Sequence, residues 1–409
     1  MSRQLDDWLE RYIQFTQNAE SPTLYHLWSG LAAISSALRR KCYSNWGLTG
    51  YIYPNLYISL VGPPGGRKGS AMKIAKSIVN KLEIPIGSDS LGSVQALYRE
   101  LIMSEDDYIE HNGMPKKHKS ISIWSEEFQV FLSDRDPTLI PNLTDLFDCA
   151  DNWKYSTLKR GVENVSNCWI TIIGAITPSL LQARMSLDAV GGGLLSRIIF
   201  VVGYGAIKRV ALPFLSKEEE ALKESLFIDL QQIANLSGPF VLSSDFLKHY
   251  TRWYENSSDA DGLDNDKFLG YNARRALHIK KICMIVSASE SDDMIIEGKH
   301  FEKALNILEV TEAEMPNAFH GIGMADHANV YAKVLSYIES QDRFSFNDIC
   351  IAFQMDSGEK QLIEMLTMAE RVGLLKRETS VSETYYDVKQ IKKKKGKKVL
   401  KNNIYKHLI

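Results

Sequence analysis

The chain has 409 residues, of which 44% are hydrophobic, 24% are charged and 10% are aromatic. That profile is typical of a globular protein and excludes a collagen-like, wholly disordered or disulfide-scaffold chain. The length suggests two to four domains. The formal net charge is −2, so any contact with nucleic acid has to come from local basic patches and not from bulk charge.

The cysteines, the N-terminal segment and the apolar runs indicate the compartment. The five cysteines include no CxxC pair, which argues against a structural zinc site and a disulfide framework and for a reducing environment. The acidic, polar start MSRQLDDWLERY is unlike a signal peptide, and no apolar run approaches the roughly 18 residues of a membrane span. We therefore expect a cytoplasmic protein with no membrane partner.

The first half of the chain alternates between helical and strand patterns. Apolar residues at helical spacing predict helices over 5–20 and 23–40, in an N-terminal helical region assigned to 1–50. Shorter apolar runs then predict strands at Tyr57–Val61, Ser120–Trp124, Trp169–Ala175 and Ile198–Val202, with a helix at Ser70–Leu82. This alternation favours an α/β core, which we assign to 51–212.

From residue 216 onward the pattern becomes helical. Apolar positions recur every three or four residues in Leu222–Ile233, Phe246–Tyr254, Ala273–Ser289 and Lys299–Glu312. These stretches predict a helical lid over 213–320, and the Gly- and Pro-containing stretch Pro316–Met324 predicts a linker.

The end of the chain has the order of elements of a winged helix. Three predicted helices precede the strand–turn–strand pattern GLLKRETSVSETYYDV, and they cover Val330–Ile338, Phe346–Phe353 and Lys360–Val372. We assign a winged-helix domain to 328–388 and a lysine-dense basic tail to 389–409.

A glycine- and proline-rich turn carries the sharpest local signal. In LYISLVGPPGGRKGSAMKI a predicted strand runs into this turn and then into a helix. Glycines let backbone N–H groups approach phosphates, and a helix N-terminus offers unpaired donors. Lys68 would bridge the β- and γ-phosphates of ATP. The residues expected to surround the nucleotide are Gly62, Pro63, Pro64, Gly65, Gly66, Arg67, Lys68, Gly69 and Ser70.

The turn departs in two places from the pattern GxxxxGK[ST]. Arg67 stands where the second glycine belongs, and Gly69 occupies the place of the Ser or Thr that normally binds Mg²⁺. Ser70 follows one residue later, about 100° further round a helix, and we predict that it substitutes as the Mg²⁺ ligand. A glycine-rich strand–helix turn without a ligand is the alternative interpretation.

Polar residues at later strand ends complete a candidate ATPase site. ISIWSEEF supplies Glu126, expected to bind Mg²⁺, and Glu127, expected to activate water; a solvated Glu pair opening a helix is the alternative. Thr177 ends the strand CWITIIGAITP and would orient that water, although an ordinary strand-terminating Thr before Pro fits equally well. Arg197 follows GGGLLS and would reach a neighbouring subunit's γ-phosphate; otherwise it is a surface arginine at a strand edge.

The segment WKYSTLKRGVENVSNCW predicts a β-hairpin with a basic tip. Alternating residues on both sides of Lys-Arg-Gly place Lys159 and Arg160 at that tip. We expect these two residues to contact DNA phosphates, in a manner that tolerates sequence and depends on salt. An exposed loop with ordinary surface charges is the alternative.

Taken in order, these pieces resemble an AAA+ ATPase of the minichromosome-maintenance type and the helicase–primase-like ATPases of phages and mobile elements, a domain-of-unknown-function family. The resemblance spans roughly residues 20–312. GPPGGRKGS resembles the family's phosphate loop, the SEE at 125–127 its acidic pair, and Thr177–Pro178 its Asn–Pro first sensor. LLSR, ending at Arg197, resembles its arginine-finger motif. ARRALHIKK resembles the helix of the second sensor, which implies that role for Arg274.

The resemblance implies a P-loop ATPase core with ATP and Mg²⁺ as cofactors. It implies a homo-oligomeric ring, expected to be a hexamer, because a finger acting in trans needs a neighbour. Hydrolysis would move the hairpins along single-stranded DNA and unwind it during replication of a phage or mobile element, in the host cytoplasm and with other replication proteins as partners.

Two other functions stay open at this point. The departures at Gly69 and Thr177 favour slow turnover, as in a helicase loader or another nucleotide-switched assembly ATPase that binds DNA. A transcriptional regulator that reads duplex DNA with its winged helix is the third alternative.

Overall fold

The chain divides into two compact units, with the boundary after His320. The computed structural model describes residues 3–89, 91–109, 113–132, 136, 138–157, 161–184, 193–257, 263, 268–319, 334–335, 337–338, 341, 343–353, 357–371, 375–379 and 384–388. Within these ranges, none of the helices is both long enough and apolar enough to cross a membrane.

The first unit combines helices with short strands. Its described helices are α1 Trp8–Thr16, α2 Thr23–Leu38, α3 Lys68–Val79, α4 Val94–Met103, α5 Leu139–Phe147, α6 Pro178–Arg184, α7 Lys217–Asn235, α8 Ser244–Asn256, α9 Leu269–Asn272, α10 Arg275–Glu290 and α11 Gly298–Glu312. Its described strands are β1 Cys42–Asn45, β2 Tyr51–Ile52, β3 Tyr57–Val61, β4 Ile86–Gly87, β5 Glu105–Ile109, β6 Pro115–Ser125, β7 Asn152–Thr157, β8 Gly161–Ser166, β9 Cys168–Ile176, β10 Ile198–Val202, β11 Gly238–Leu242 and β12 Ile295–Ile296.

The central sheet has the strand order β10–β3–β9–β6–β4, and all of these neighbours pair in parallel. Strand β5 adds to β6 in antiparallel orientation. Every residue of β3, β9 and β10 is buried, as expected when helices cover both faces of a parallel sheet. The α/β class predicted from the alternating pattern is therefore confirmed.

The N-terminal helices begin and end where local chemistry dictates. Asp7 accepts hydrogen bonds from the backbone of Leu9 and Glu10 and so caps α1. The indole of Trp8 donates to the carbonyl of Leu226 at 2.7 Å, which ties α1 to α7 of the predicted lid. Both helices expected over 5–20 and 23–40 are present, the first shortened to the 9 residues Trp8–Thr16 and the second ending at Leu38.

A second sheet has the order β12–β11–β1–β2. It pairs β1, which follows the N-terminal helices, in parallel with β11 of the helical segment. These strands have two to five residues each, and none of them was predicted from the sequence. The four lid helices were predicted, and the structure lengthens most of them by one to five residues at their ends.

The second unit forms its own small core. Its described elements are β13 Arg343–Ser345, α12 Phe346–Phe353, α13 Glu359–Arg371, β14 Leu375–Thr379 and β15 Thr384–Val388, with helical residues also at 334–335 and 337–338. The strands form an antiparallel sheet in the order β13–β15–β14. The two predicted strands are confirmed, whereas their connection at 380–383 and the basic tail at 389–409 lie outside the described residues.

Candidate functional site

The parallel register brings three predicted segments to one edge of the central sheet, here called the carboxyl edge. Val61 of β3 lies opposite Ile176 of β9, and Gly174 of β9 lies opposite Ser125 of β6. The Gly62 amide continues this pairing by donating to the Ile176 carbonyl at 3.3 Å. The GPPGGRKGS turn (residues 62–70), Thr177 and the two glutamates therefore follow adjacent strand ends, with Thr177 in the middle.

Lys68 is held inside the GPPGGRKGS turn. Its Nζ donates to the carbonyls of Gly62 and Pro63 at 2.6 and 2.8 Å, and the residue is only 9% exposed. Burial lowers the pKa of this amine. Within the described ranges no Asp or Glu forms an ion pair with it. A buried ammonium at the first residue of a helix, where backbone N–H groups are unpaired, is suited to bind an anion.

The backbone explains why the motif normally has a glycine before the lysine. Arg67 adopts φ 62° and ψ 20°, a left-handed conformation that costs a non-glycine residue roughly 1–2 kcal/mol. The Arg67 guanidinium pairs with Glu20 at 2.6 Å, and Ser21 Oγ donates to the Arg67 carbonyl at 3.0 Å. These contacts anchor the strained residue to the segment before α2.

Gly69 and Glu126 lie next to each other. A Cβ atom added to Gly69 would lie 3.4 Å from both Cδ and Oε2 of Glu126. The Glu126 carboxylate also pairs with Lys73 at 3.0 Å and is 54% exposed. Glu127 is exposed, and its backbone N–H donates to Ser125 Oγ at 3.2 Å. The Glu126 carboxylate therefore lies beside the start of α3, and Glu127 follows it directly in the chain.

The side chains at this site suit Mg²⁺ bound together with a nucleotide and not a metal ion held by protein ligands alone. In the described part of the chain, no group of three or more His, Cys, Asp or Glu side chains is placed to hold a metal ion. Mg²⁺ in nucleotide sites instead takes one or two carboxylates together with substrate phosphates. Glu126, next to Gly69 at the start of α3, meets that requirement.

Thr177 already has a structural use. Its Oγ1 accepts from the Leu180 amide at 3.4 Å and lies 3.2 Å from Ser179 Oγ, so it caps the first turn of α6. The position of Thr177 between the turn and the glutamates agrees with the expected water-orienting role, but its hydroxyl serves the helix. That role stays a prediction.

Arg197 and Arg274 lie at the opposite end of the sheet, here called the amino edge. Arg197 directly precedes β10, whose first residue, Ile198, lies opposite Tyr57, the first residue of β3. The GPPGGRKGS turn follows the last residue of β3, five residues and about 16 Å away. Arg274 Nε donates to Ser196 Oγ at 3.1 Å, so it lies at the same edge. Neither arginine joins the lysine turn of its own chain.

Asp148 joins the two arginines. Arg197 Nη2 donates to Asp148 Oδ2 at 2.6 Å, and Arg274 Nη1 lies 3.8 Å from Asp148 Oδ1. Arg197 also donates to the Gly193 carbonyl at 2.7 Å and is 6% exposed. Sequence reasoning missed Asp148, because a single aspartate after an apolar helix carries no motif. In the isolated chain, Arg197, the predicted arginine finger, is therefore paired with a carboxylate of its own chain.

A buried polar network lies behind these arginines and fixes α10. Lys281 Nζ donates to the Tyr53 carbonyl at 3.0 Å and to Asn55 Oδ1, and burial lowers the pKa of Lys281 to about 8. His278 Nε2 lies 3.3 Å from the Ser196 carbonyl, and burial lowers its pKa to about 3. Both side chains secure the helix that starts just after Arg274.

The predicted hairpin is present. Strands β7 and β8 pair in antiparallel fashion from Asn152–Ser166 to Thr157–Gly161, and the Asn167 amide closes its base by donating to the Asp151 carbonyl at 2.8 Å. Because β9 starts at Cys168, the hairpin emerges at the amino edge. Lys159 and Arg160 lie outside the described residues, so their contacts stay a prediction.

An apolar cavity of 370 Å³ flanks α3, and sequence reasoning did not anticipate it. Its lining includes Phe15, Ile74, Val210, Leu212 and Phe214. Ile74 is six residues beyond Lys68, or about 9 Å along the helix.

No protein-family model matches the chain, and no curated protein matches it either. Any functional interpretation therefore rests on the arrangement of side chains in the folded chain. The lysine turn and two glutamates share one edge of the sheet, and two arginines share the other.

Proposed function

We propose that the chain is a ring-forming AAA+ ATPase that couples ATP hydrolysis to movement along single-stranded DNA, acting as a helicase in the replication of a phage or mobile element. One observation carries the proposal. The buried Lys68 ammonium has only two loop carbonyls as partners among the described residues, and it opens helix α3, whose second residue, Gly69, is next to the Glu126 carboxylate. This arrangement supports a site for a triphosphate.

The nucleotide would bind across the GPPGGRKGS turn. Lys68 would leave its two carbonyls for the β- and γ-phosphates, and the N–H groups of the first turn of α3 would donate to the same phosphates. The base would occupy the apolar cavity lined by Phe15, Ile74 and Val210, because such surfaces favour flat apolar groups.

The glutamates would divide the chemistry between them. Glu126 would hold Mg²⁺, which when bound neutralises phosphate charge. Glu127 would take a proton from water while the water oxygen attacks the γ-phosphorus, and the bond to the β–γ bridging oxygen breaks to release ADP and phosphate. Thr177 would orient that water from the neighbouring strand end.

The separation of about 16 Å between the two edges supports a ring. Arg197 and Arg274 cannot stabilise a phosphate bound to their own chain, but an adjacent copy could present its nucleotide to them. Asp148 would then have to release Arg197 to the incoming phosphate. A site completed by a neighbour requires a head-to-tail interface, and such interfaces can close into a ring, here expected to be a hexamer.

DNA would be held by the hairpin, with Lys159 and Arg160 on the phosphates. The second unit, with its described helices, the antiparallel sheet β13–β15–β14 and the predicted helix before them, agrees with the winged-helix pattern. It would add a second contact surface, and the lysine-rich tail would add charge.

A second candidate, a nucleotide-switched assembly factor with slow turnover, is favoured by two contacts. Arg197 is closed onto Asp148, and the Thr177 hydroxyl is used as a helix cap. Both contacts occupy side chains that hydrolysis would require. This alternative predicts nucleotide and DNA binding with hydrolysis close to background.

The test compares wild type with Lys68→Ala, Glu127→Gln and the control Glu255→Gln, an exposed glutamate at the end of α8. We expect Lys68→Ala to lose nucleotide binding, and Glu127→Gln to bind but hydrolyse about 10²–10⁴ times more slowly. Glu255→Gln should match wild type. Absence of ATP binding would refute the ATPase. Hydrolysis without ATP-dependent strand displacement would refute the helicase, and wild-type turnover equal to that of Glu127→Gln would favour the assembly factor.

A further inference from the structure

A cleft lined by aromatic and basic side chains, here called the tyrosine cleft, lies beyond the amino edge, and none of its residues takes part in the proposed ATPase site. Its volume is 190 Å³, below the roughly 300–1,000 Å³ of pockets for drug-sized ligands, so it suits a flat group of one or two rings. The lining includes four tyrosines and two lysines: Tyr43, Tyr51, Tyr53, Tyr108, Lys116 and Lys117.

The tyrosine cleft lies at the foot of the β7–β8 hairpin. Asp151 and Asn167, whose backbones close the base of the hairpin, both belong to its lining. The Asn167 side chain also donates to the Lys117 carbonyl at 2.8 Å, which joins the hairpin to the lysine pair. The six residues of β7 separate the cleft from the hairpin tip, a distance of about 20 Å. A polymer that contacts the tip can therefore reach the cleft with a second segment.

We propose that the tyrosine cleft binds an unpaired base of single-stranded DNA, with the base stacked on tyrosine rings and the neighbouring phosphates beside the two lysines. The inference rests on the proposed function, because it gives the same strand a second contact besides the hairpin tip. The tip would contact phosphates alone, whereas the cleft would contact a base. Intact duplex DNA cannot offer this contact, since its bases are stacked on one another.

The rings of the cleft offer aromatic surface that the core does not bury. The Tyr43 ring centroid lies 4.9 Å from that of Tyr51 and 6.2 Å from that of Tyr53, so these rings form one cluster. Tyr53 is buried, but Tyr51 is 54% exposed, and Tyr43 and Tyr108 are only partly buried. Bases stack on such rings whatever their sequence, because every base has a π-face.

The charges of the cleft favour an anionic ligand. In the described part of the chain, its lining holds three permanent cations, namely Arg40 and the two lysines, against one acid, Asp151. The buried Arg40 guanidinium donates to Asp151 at 2.6 Å. Lys117 is 63% exposed and pairs with Glu105 at 2.8 Å and with Asp107 at 3.8 Å. Such exposed pairs contribute little to stability, so Lys117 can turn to a phosphate at little cost.

A buried hydrogen-bond donor in the lining lacks a partner. His118 belongs to the lining and is 1% exposed, and burial lowers its pKa to about 3, which keeps the ring neutral. Ser120 Oγ accepts from the Arg40 amide at 3.4 Å, so its own hydrogen is left for His118 Nδ1 at 2.8 Å. The ring hydrogen is then on Nε2, which has no hydrogen-bond partner among the described residues. Buried polar groups of this kind are rare, and a carbonyl oxygen of a bound base would satisfy this one.

Titration of the full chain with two labelled strands of equal length tests the cleft, with a non-hydrolysable ATP analogue present throughout. One strand is an oligothymidylate, and the other has the same backbone without bases. Wild type is compared with Tyr51→Ala, Tyr51→Phe and the control Tyr254→Ala, since Tyr254 is 57% exposed on α8 and outside the cleft lining.

We expect Tyr51→Ala to bind the oligothymidylate about tenfold more weakly than wild type, because it removes a stacking ring. Tyr51→Phe and Tyr254→Ala should match wild type, and the strand without bases should bind wild type and Tyr51→Ala equally. The double variant Lys116→Ala/Lys117→Ala should weaken both strands to a similar extent, because phosphates are common to them.

Equal affinity of wild type for the two strands would overturn the proposal, as would wild-type binding of the oligothymidylate by Tyr51→Ala or by the double lysine variant. Displacement of the oligothymidylate by free thymidine monophosphate at similar concentration would also overturn it, because the cleft would then hold a free nucleotide. Ultraviolet cross-linking of wild type to a bromodeoxyuridine-containing strand keeps the proposal testable if a variant misfolds. Attachment is expected at Tyr51 or Tyr108, and attachment confined to residues outside the cleft contradicts it.

The same titrations separate the cleft from the proposed function. Failure of wild type to bind either strand would refute the DNA-binding step of the proposed function and the cleft together. Loss of binding in Lys159→Ala, with no effect of Tyr51→Ala, would refute the cleft alone.

Discussion

Replacement of Asp148 by asparagine should release the two arginines of the amino edge and destabilise the first unit. The carboxylate lies 2.6 Å from Arg197, whose side chain is 7% exposed, but is itself 48% exposed. Asparagine keeps the shape and removes the charge, leaving a buried guanidinium without its anionic partner.

The magnitude follows from the burial of the two partners. Breaking a fully buried pair costs about 3–5 kcal/mol, whereas exposed pairs are worth about 0–1 kcal/mol. Because one partner is buried and the other half exposed, we expect a loss of about 2 kcal/mol. Arg274 adds little, since it is 3.8 Å away and partly exposed. For a unit of this size the loss corresponds to a fall in Tm of about 3–5 °C.

Thermal melting of four proteins measures the effect: wild type, Asp148→Asn, Arg197→Met and the double variant. The double-mutant cycle should give a coupling of about 1–2 kcal/mol. Asp145→Asn is the control, because Asp145 is an exposed aspartate on α5, the helix that Asp148 follows, and it should stay within about 0.5 kcal/mol of wild type. A melting temperature for Asp148→Asn equal to that of the control, with no coupling to Arg197, would show that this carboxylate does not hold the finger.

Substitutions at three further positions test individual side chains. Arg67→Gly should not destabilise the protein. The substitution relieves roughly 1–2 kcal/mol of left-handed backbone strain and loses a partly exposed ion pair with Glu20 worth about 0–1 kcal/mol. A decrease of more than about 1 kcal/mol in the free energy of unfolding by urea would contradict this. Burial works to raise the pKa of Glu290, but hydrogen bonds from His300 and Lys299 outweigh it and hold the pKa at about 2. Ionised Glu290 therefore stabilises the fold above its unfolded pKa of about 4.5. The free energy of unfolding of wild type should exceed that of Glu290→Gln by about 2–3 kcal/mol at pH 6, and this difference should vanish as pH falls from 4.5 towards 2. A difference that does not change with pH would exclude this linkage. Thr177→Val should cost about 1 kcal/mol through loss of the α6 cap, while Thr177→Ser should not. If both variants hydrolyse ATP equally, Thr177 has no part in orienting water.

Local patterns were sufficient for the elements with strong periodicity. The strands Tyr57–Val61 and Ile198–Val202 and the helix Phe346–Phe353 have the predicted bounds. Apolar spacing marks all three, and a glycine directly follows each of the two strands. The β7–β8 hairpin was also predicted, since alternation on both sides of a Lys-Arg-Gly tip is a short-range signal. The class of fold follows from the same information.

Short or weakly patterned elements were missed. Strands β1, β4, β5, β11 and β12 have two to five residues, and they exist because a neighbouring strand satisfies their backbone hydrogen bonds. Helices α4 and α5 were likewise not predicted. Such elements depend on partners far away in the chain, so no local window contains their cause.

Part of the candidate site could likewise be predicted from the sequence, and part of it could not. Lys68, Glu126, Glu127 and Thr177 could be named from the chain alone, because each follows a strand or opens a helix, and parallel strands end at one edge. The contact of Gly69 with Glu126, the capping use of the Thr177 hydroxyl and the closure of Arg197 onto Asp148 exist only in the folded molecule. Sheet register and long-range packing decide the contacts of Gly69 with Glu126 and of Arg197 with Asp148, because these pairs are 57 and 49 positions apart in the chain.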